Sequence, residues 1–276
     1  MFSKWFKRRE RPLPQDPTCS NCGAQTVGRY CHDCGQSVFA GAGQPILHLL
    51  GKMLESLFQL DAKTPRTLAF IMYRPGFLSS EFRAGRINRY VHPVKLFWMS
   101  SLIFFGLLIS QIDRDNTSGQ NIVTITSEDG ERLDSSEEAA LLLALFSKYA
   151  PYVSFVLIPI FALMLALFFW RKKQFYMHHL IFTVHFHTYL WIYCGLLLII
   201  SLIIPGWEYP VWLKSLLIVM PGIYFSIALH RYYQTKTRWS AIWKAVVISL
   251  LYLFIIITVT VVIVFFVLKR FFPDSF

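Results

Sequence analysis

Four cysteines near the start of the chain are the residues best suited to chemistry. They stand in two Cys-x-x-Cys-Gly motifs, at residues 19–23 and 31–35. Two intervening residues let one tight turn aim both sulfurs at a single ion, and the glycine permits the positive φ that such a turn needs. Zinc takes four thiolates in a tetrahedron. We therefore predict a tetrathiolate zinc ribbon with the ligands Cys19, Cys22, Cys31 and Cys34.

The predicted site is structural rather than catalytic, because four thiolates leave no open position for water. A module this small has too little core to fold without its metal. Disulfides are the competing interpretation, and a reducing cytoplasmic side disfavours them. His32 lies inside the second motif, but the cysteines already complete the ligand set. The ribbon could order the end of the membrane domain or present a docking surface. Arg29 is the single basic residue between the motifs, which argues against nucleic acid.

Histidines form the second candidate site, at the start of the third apolar run: His178, His179, His185 and His187. Ionisable groups within a membrane are costly and usually face the interior of the bundle. His178 and His185 are two helical turns apart, about 10 Å, so one straight helix cannot bring both to one metal. Three interpretations stay open: hydrogen bonds between helices, a proton or ion pathway, and a metal site completed by another helix.

Five apolar runs dominate the rest of the chain, which is 55% hydrophobic with a mean hydropathy of +0.46. Each can cross a bilayer, which takes about 20 mostly apolar residues. The runs cover residues 94–110, 152–170, 180–204, 211–229 and 241–268. Their cores lack Asp and Glu, which weakens the case for a coupled transporter. We expect an all-α membrane protein with about five transmembrane helices.

Charge sets the predicted orientation. Basic residues predominate before residue 94 and at 171–173 and 231–244, whereas the loop 111–148 is acidic. Because cytoplasmic segments carry the excess of Lys and Arg, the N-terminus is predicted to be cytoplasmic and the loop external. The start of the chain has no apolar core and does not resemble a signal peptide. The expected location is the inner (cytoplasmic) membrane, with multiple passes.

The approach to the first crossing is predicted to be helical. Residues 45–60 have the apolar spacing of an amphipathic helix lying in the interface. A second helix starts with Thr64 as N-cap and Pro65 in the first turn, and Pro75 and Gly76 stop it after Tyr73.

A basic stretch follows these two helices. Arg83, Arg86 and Arg89 recur every three residues, which places them on one helical face. With Tyr90, they are candidate contacts for lipid headgroups or an acidic partner. An ordinary basic collar is the alternative. The predicted divisions are a basic tail (1–17), the ribbon (18–39), interfacial helices (45–93) and the membrane bundle (94–276).

Several of these motifs together resemble a bacterial family of polytopic membrane proteins, catalogued as a domain of unknown function with an N-terminal zinc ribbon. The likeness covers nearly the whole chain. It rests on the paired cysteine motifs, Lys63, Arg66, Thr67 and Leu68 after Leu60-Asp61, then Arg74-Pro75-Gly76, Gly85, Arg86, Arg89, Tyr90 and Pro93, and the four histidines. The family often has an acidic residue where His178 stands. The resemblance implies a ribbon plus a helical membrane domain and implies no activity.

No nucleophile, phosphate loop or paired carboxylates mark the sequence as an enzyme. The first functional prediction is a membrane-anchored scaffold or accessory protein whose ribbon docks a cytoplasmic partner or a lipid surface. The expected partners are the lipid bilayer and a cytoplasmic or membrane protein. The alternatives are a transporter or channel with a His-lined pathway, and a membrane enzyme acting on a lipid-like substrate. Nucleic acid is not an expected partner, and the oligomeric state stays open.

Overall fold

The computed structural model describes residues 18–38, 62–117, 135–204 and 211–271. The predicted basic tail, the amphipathic helix at 45–60 and residues 118–134 of the acidic loop lie outside the described residues. Seven α-helices are described, and the sole β-pairing in these ranges is two isolated bridges in the ribbon. The helices are α1 (Thr64–Tyr73), α2 (Phe77–Arg83), α3 (Pro93–Thr117), α4 (Ser135–Phe168), α5 (Tyr176–Ile203), α6 (Val211–Tyr233) and α7 (Arg238–Phe271).

The five predicted crossings correspond to α3 through α7. Four of these helices carry an apolar stretch long enough to span a membrane, and α4 contributes a shorter apolar segment, Tyr152–Phe168. The prediction of an all-α, multi-pass membrane protein is confirmed. A single 3₁₀ turn, Trp170–Lys172, follows α4 in the position predicted for a basic turn.

The turn between α1 and α2 packs directly against α6. Gly76 adopts a left-handed conformation, with φ of 73°, which costs an L side chain free energy. A Cβ at this position would lie 2.7 Å from the carbonyl oxygen of Ala228 in α6. Only glycine therefore allows α6 to pack this closely. The predicted stop after Tyr73 is confirmed, and the N-cap is Lys63, one residue earlier than predicted.

The arginine prediction needs one correction. Because α2 ends at Arg83 and the chain then turns, Arg83, Arg86 and Arg89 do not share a helical face. The positive φ of Gly85, 80°, is part of this turn.

Buried side chains gather at one end of the bundle, which we call the ribbon-side end. It comprises α1, α2, the first turns of α3, α5 and α7, and the last turns of α4 and α6. In α5 the buried positions lie between His179 and Tyr189, apart from Gly195. In α7, Ile248 is the last described position that is buried. The remainder of both helices is more exposed, as expected of surfaces that face lipid.

The far half of the bundle contains a proline within α6, Pro221. Proline has no N–H, so the carbonyl of Leu217, four residues earlier, loses its helical donor. The hydroxyl of Tyr193 in α5 donates to that oxygen at 2.9 Å. A neighbouring helix thus satisfies the freed carbonyl, as hydrocarbon surroundings require.

Candidate functional site

The four cysteines converge as predicted. Their sulfur atoms all lie within 4.8 Å of one another, with 3.6 Å between Cys19 and Cys34 and 3.5 Å between Cys22 and Cys31. Zinc–sulfur bonds of about 2.3 Å arranged in a tetrahedron place sulfurs about 3.8 Å apart. Covalent disulfides require about 2.05 Å. The spacing therefore fits four thiolates around one ion.

Each cysteine motif forms the tight turn that its spacing predicts. The amide of Gly23 donates to the carbonyl of Cys19 at 2.8 Å, and that of Gly35 donates to Cys31 at 2.9 Å. Both glycines have positive φ, 82° and 69°. His32 points away from the ligand set, with its Nε2 3.1 Å from a carboxylate oxygen of Asp33 and both side chains exposed. It does not replace a sulfur.

Gln36, directly after the second motif, attaches the ribbon to the rest of the chain. Its side chain is buried. Its Nε2 donates to the carbonyl of Gly85 at 2.6 Å, and its Oε1 accepts from the amides of Ile87 and Asn88 at 3.2 and 3.1 Å. One amide side chain thus provides hydrogen-bond partners for three backbone groups of the 85–88 turn.

Two further hydrogen bonds complete this contact. Ser20 donates to the Gly85 carbonyl at 3.2 Å, and the side chain of Asn88 donates to the carbonyl of Cys34 at 3.0 Å. These contacts could not be predicted from the sequence, because their members lie far apart in the chain and are common polar types. A lone glutamine after a cysteine motif is a weak signal.

The ribbon's loop between the two cysteine motifs remains exposed. Val27 has 96% of its surface exposed and Tyr30 has 61%. Large exposed apolar side chains on a small polar module are candidates for contact with another molecule.

The predicted basic contacts are largely committed within the chain. Arg83 donates to the carbonyl of Tyr232 at 3.0 Å and lies over that residue's ring, so it caps the last turn of α6. Arg86 makes a two-pronged ion pair with the buried carboxylate of Glu81, and this hydrogen bonding raises the pKa of the guanidinium. Arg89 is exposed, and Tyr90 is buried.

The predicted histidines of α5 do not meet at one point. His185 shares a 3.0 Å hydrogen bond with the hydroxyl of Ser79 in α2. His179 shares one of 2.7 Å with the hydroxyl of Tyr233 in α6. Among the described residues, the four cysteines are the one group of three or more potential ligands close enough for a metal.

His187 bridges two helices. Its Nδ1 lies 2.9 Å from the carbonyl of Thr183, which can only accept, so Nδ1 carries a proton. Its Nε2 shares a 2.9 Å hydrogen bond with the hydroxyl of Tyr252 in α7. The imidazole thereby joins α5 to α7.

Two other histidines lie at the ribbon-side end. The carbonyl of His178 accepts from Tyr232 at 3.1 Å. His92, just before α3, is mostly enclosed, and neither of its ring nitrogens has a hydrogen-bond partner. Burial lowers the pKa of His92 to about 4. His92 was not predicted as a site residue, because an isolated histidine gives no signal in the sequence.

Comparison with known proteins finds a family of unknown function. No curated protein and no solved structure matches the chain. Residues 61–105, which run from the approach to α1 to the middle of α3, match the family described as "Protein of unknown function (DUF3667)". The predicted resemblance to a catalogued domain of unknown function is thereby confirmed for the segment that holds Gly76, Glu81 and the 85–88 turn.

Proposed function

We propose that the protein is a membrane-anchored adaptor whose zinc-loaded ribbon docks a cytoplasmic protein. The observation that carries this proposal is the division of the ribbon into two surfaces. Gln36 and its neighbours fix one surface to the membrane domain, whereas Val27 and Tyr30 project from the other. A ribbon held in a fixed orientation loses less conformational freedom on binding than a ribbon on a flexible linker would lose.

Zinc is the metal that this donor set favours, because four soft thiolates in a closed tetrahedron suit it and leave no site for reaction. When bound, the ion holds the two turns together and supplies the folding free energy that the small module lacks. The chain's own contribution is the pair of glycine turns and the glutamine contact.

The orientation of the protein follows from the charges at the ribbon-side end. Exposed basic residues lie there: Arg171 and Lys172 between α4 and α5, Lys236 between α6 and α7, and Arg238 at the start of α7. Cytoplasmic loops carry this excess, and a reducing compartment keeps the thiols free for metal. We therefore assign the ribbon to the cytoplasmic side of the inner membrane.

The partner should offer an apolar pocket for an aromatic side chain. Tyrosine is enriched at interface hot spots, because it buries a large area with few rotatable bonds. Arg29 is the one basic residue between Cys22 and Cys31, which is too little positive charge for nucleic acid. The contacts of His179, His185 and His187 favour a structural role for these residues, in which they join helices, and not a transport pathway.

Crosslinking in native membranes followed by affinity purification of the full chain tests the adaptor. The variant V27S/Y30S should retain one zinc per chain and lose the crosslinked partner. Chelation, or Cys31→Ser, should lose both metal and partner. The control is Tyr73→Ser, which removes an aromatic side chain outside the ribbon that is 86% exposed. This variant should retain the crosslinked partner. Partner recovery unchanged by V27S/Y30S would disprove docking through the ribbon.

A further inference from the structure

A groove runs along the outside of the bundle between α6 and α7. It encloses about 830 Å³, and most of its lining is aliphatic. Ile218, Ile223, Ile242 and Leu250 are among the lining side chains, and each is at least 40% exposed. Surfaces of this kind in a membrane domain contact lipid chains.

Small residues make room along the groove. Gly222, Ala245 and Ser249 contribute to its lining. A Cβ added at Gly222 would have no atom within 4 Å, so this part of the groove is open space rather than a helix contact. The lining of α7 from Arg238 to Leu250 extends about 18 Å at 1.5 Å per residue. That length is close to one leaflet, or half of the ~30 Å hydrocarbon core.

The ribbon-side end of the groove is cationic. Arg231, from the last turn of α6, and Arg238, from the first turn of α7, both line it. One Nη atom of Arg231 donates to the carbonyl of Pro75 at 3.2 Å, which orients the guanidinium and leaves most of its five donors for a ligand. The sequence has no Asp or Glu between Glu208 and Asp274, so these two helices bring no carboxylate of their own to the groove.

His230, the third polar residue at this end, has its ring engaged with the chain. Its Nδ1 lies 2.7 Å from the hydroxyl of Thr235, which itself donates to the carbonyl of Thr237. The Nδ1 therefore donates to Thr235. The two arginines supply the charge that faces the groove.

From this arrangement we propose that the groove binds an anionic phospholipid, with one acyl chain between α6 and α7 and the phosphate between Arg231 and Arg238. Two guanidiniums at the interface, above an apolar channel one leaflet deep, complement both parts of such a lipid. A second copy of this chain fits the groove less well. In a parallel pair it would bring the exposed basic residues of a second ribbon-side end, such as Arg171, Lys172 and Lys236, towards these arginines.

Lipid retention tests the site. The full chain is purified in non-ionic detergent from vesicles that contain equal parts phosphatidylglycerol and phosphatidylcholine, and the co-purified lipids are quantified by mass spectrometry. The unmodified chain should retain phosphatidylglycerol preferentially. The variant R231Q/R238Q should lower the retained ratio of phosphatidylglycerol to phosphatidylcholine by about tenfold.

Two matched variants separate this site from unspecific charge attraction and from phosphate binding alone. R171Q/K173Q removes the same charge from the other ribbon-side turn and should keep the preference. Gly222→Leu fills the groove without changing charge and should release the lipid. Equal loss in R171Q/K173Q would mean unspecific charge attraction and would overturn the site. Retention in Gly222→Leu would mean that the arginines hold phosphate without an acyl chain, and would overturn the lipid assignment, as would a subunit crosslink through the groove.

Discussion

The two ends of the membrane bundle are built differently. At the ribbon-side end, side chains donate to backbone carbonyls near the ends of helices that are far apart in sequence. Arg83 caps α6, and the hydroxyl of Tyr224 donates to the carbonyl of Ile71 near the end of α1. Aromatic rings fill the spaces between these segments; for example, Phe169 stacks on Tyr233 with ring centroids 3.8 Å apart. In the far half, by contrast, no described residue of α7 after Ile248 is buried.

This difference indicates where the fold is specified. Without a hydrophobic driving force between helices in lipid, association depends on close packing and hydrogen bonds. In the described residues, most contacts of both kinds occur at the ribbon-side end. The segment that matches the family, 61–105, supplies the parts of this end that lie outside the spans. We infer that the ribbon-side end holds the bundle together and that the far half mainly meets lipid.

Gly76→Ala should have the largest effect of any single substitution at the ribbon-side end. It imposes left-handed strain and a 2.7 Å approach to a backbone oxygen of α6, which cannot rotate away. The expected cost is about 3 kcal/mol or more, measured as a loss of folded protein and a lower midpoint of thermal unfolding in detergent.

Gly106→Ala is the control for Gly76→Ala. Gly106 lies within α3, where a Cβ would have no atom within 4 Å. Alanine has the higher helix propensity, so stability should be equal or slightly greater. Equal stability of the two variants would contradict the close approach of the turn to α6.

Gln36→Ala should have the next largest effect, by separating the ribbon from the bundle. It leaves the amides of Ile87 and Asn88 and the carbonyl of Gly85 with fewer partners, at a cost of about 2 kcal/mol. The four thiolates are untouched, so zinc content should stay at one per chain. Distances between spin labels on the ribbon and on α3 should broaden, whereas Gln25→Ala, an exposed glutamine of the same module, should leave them narrow.

Sequence alone predicted features that depend on local spacing and missed those that depend on distant contacts. Two residues between cysteines and a following glycine determine the metal geometry within each motif, so that site was predictable. Hydropathy over twenty residues was sufficient for the five helices. The partner of Gln36 lies 49 residues away and that of His185 lies 106 away, and no periodicity records such pairings. The arginine prediction was wrong for a different reason. It took residues 83–89 to be one helix, whereas a turn at Gly85 interrupts that helix.

His92 gives the ribbon-side end a dependence on pH. Burial lowers its folded pKa to about 4, against about 6.5 in an unfolded chain. Between pH 4 and pH 6.5 the unfolded state binds more protons than the folded state. The free energy of unfolding is therefore highest above pH 6.5 and decreases as the pH falls towards 4. The loss between pH 7 and pH 5 should be about 1–2 kcal/mol.

His92→Gln, which does not titrate, checks that assignment. Thermal unfolding of both proteins at pH 7 and pH 5 isolates the contribution of His92 as the difference between the two pH shifts. The variant should show the smaller shift. Equal shifts would place the acid sensitivity in other groups and would mean that the ring of His92 is solvated.

Tyr193→Phe tests the far half and should have the smallest effect. It removes the donor to the Leu217 carbonyl that Pro221 has freed, and hydrogen bonds within membranes are worth about 0.6 kcal/mol on average. In a background of Pro221→Ala, the alanine amide can donate to that carbonyl, so removing the Tyr193 hydroxyl should then cost nothing further. The test is a double-mutant cycle on unfolding in mixed detergent. A coupling free energy of zero would show that the hydroxyl does not act through the proline, whereas a cost as large as that of Gly76→Ala would show that the far half specifies the fold as strongly as the ribbon-side end does.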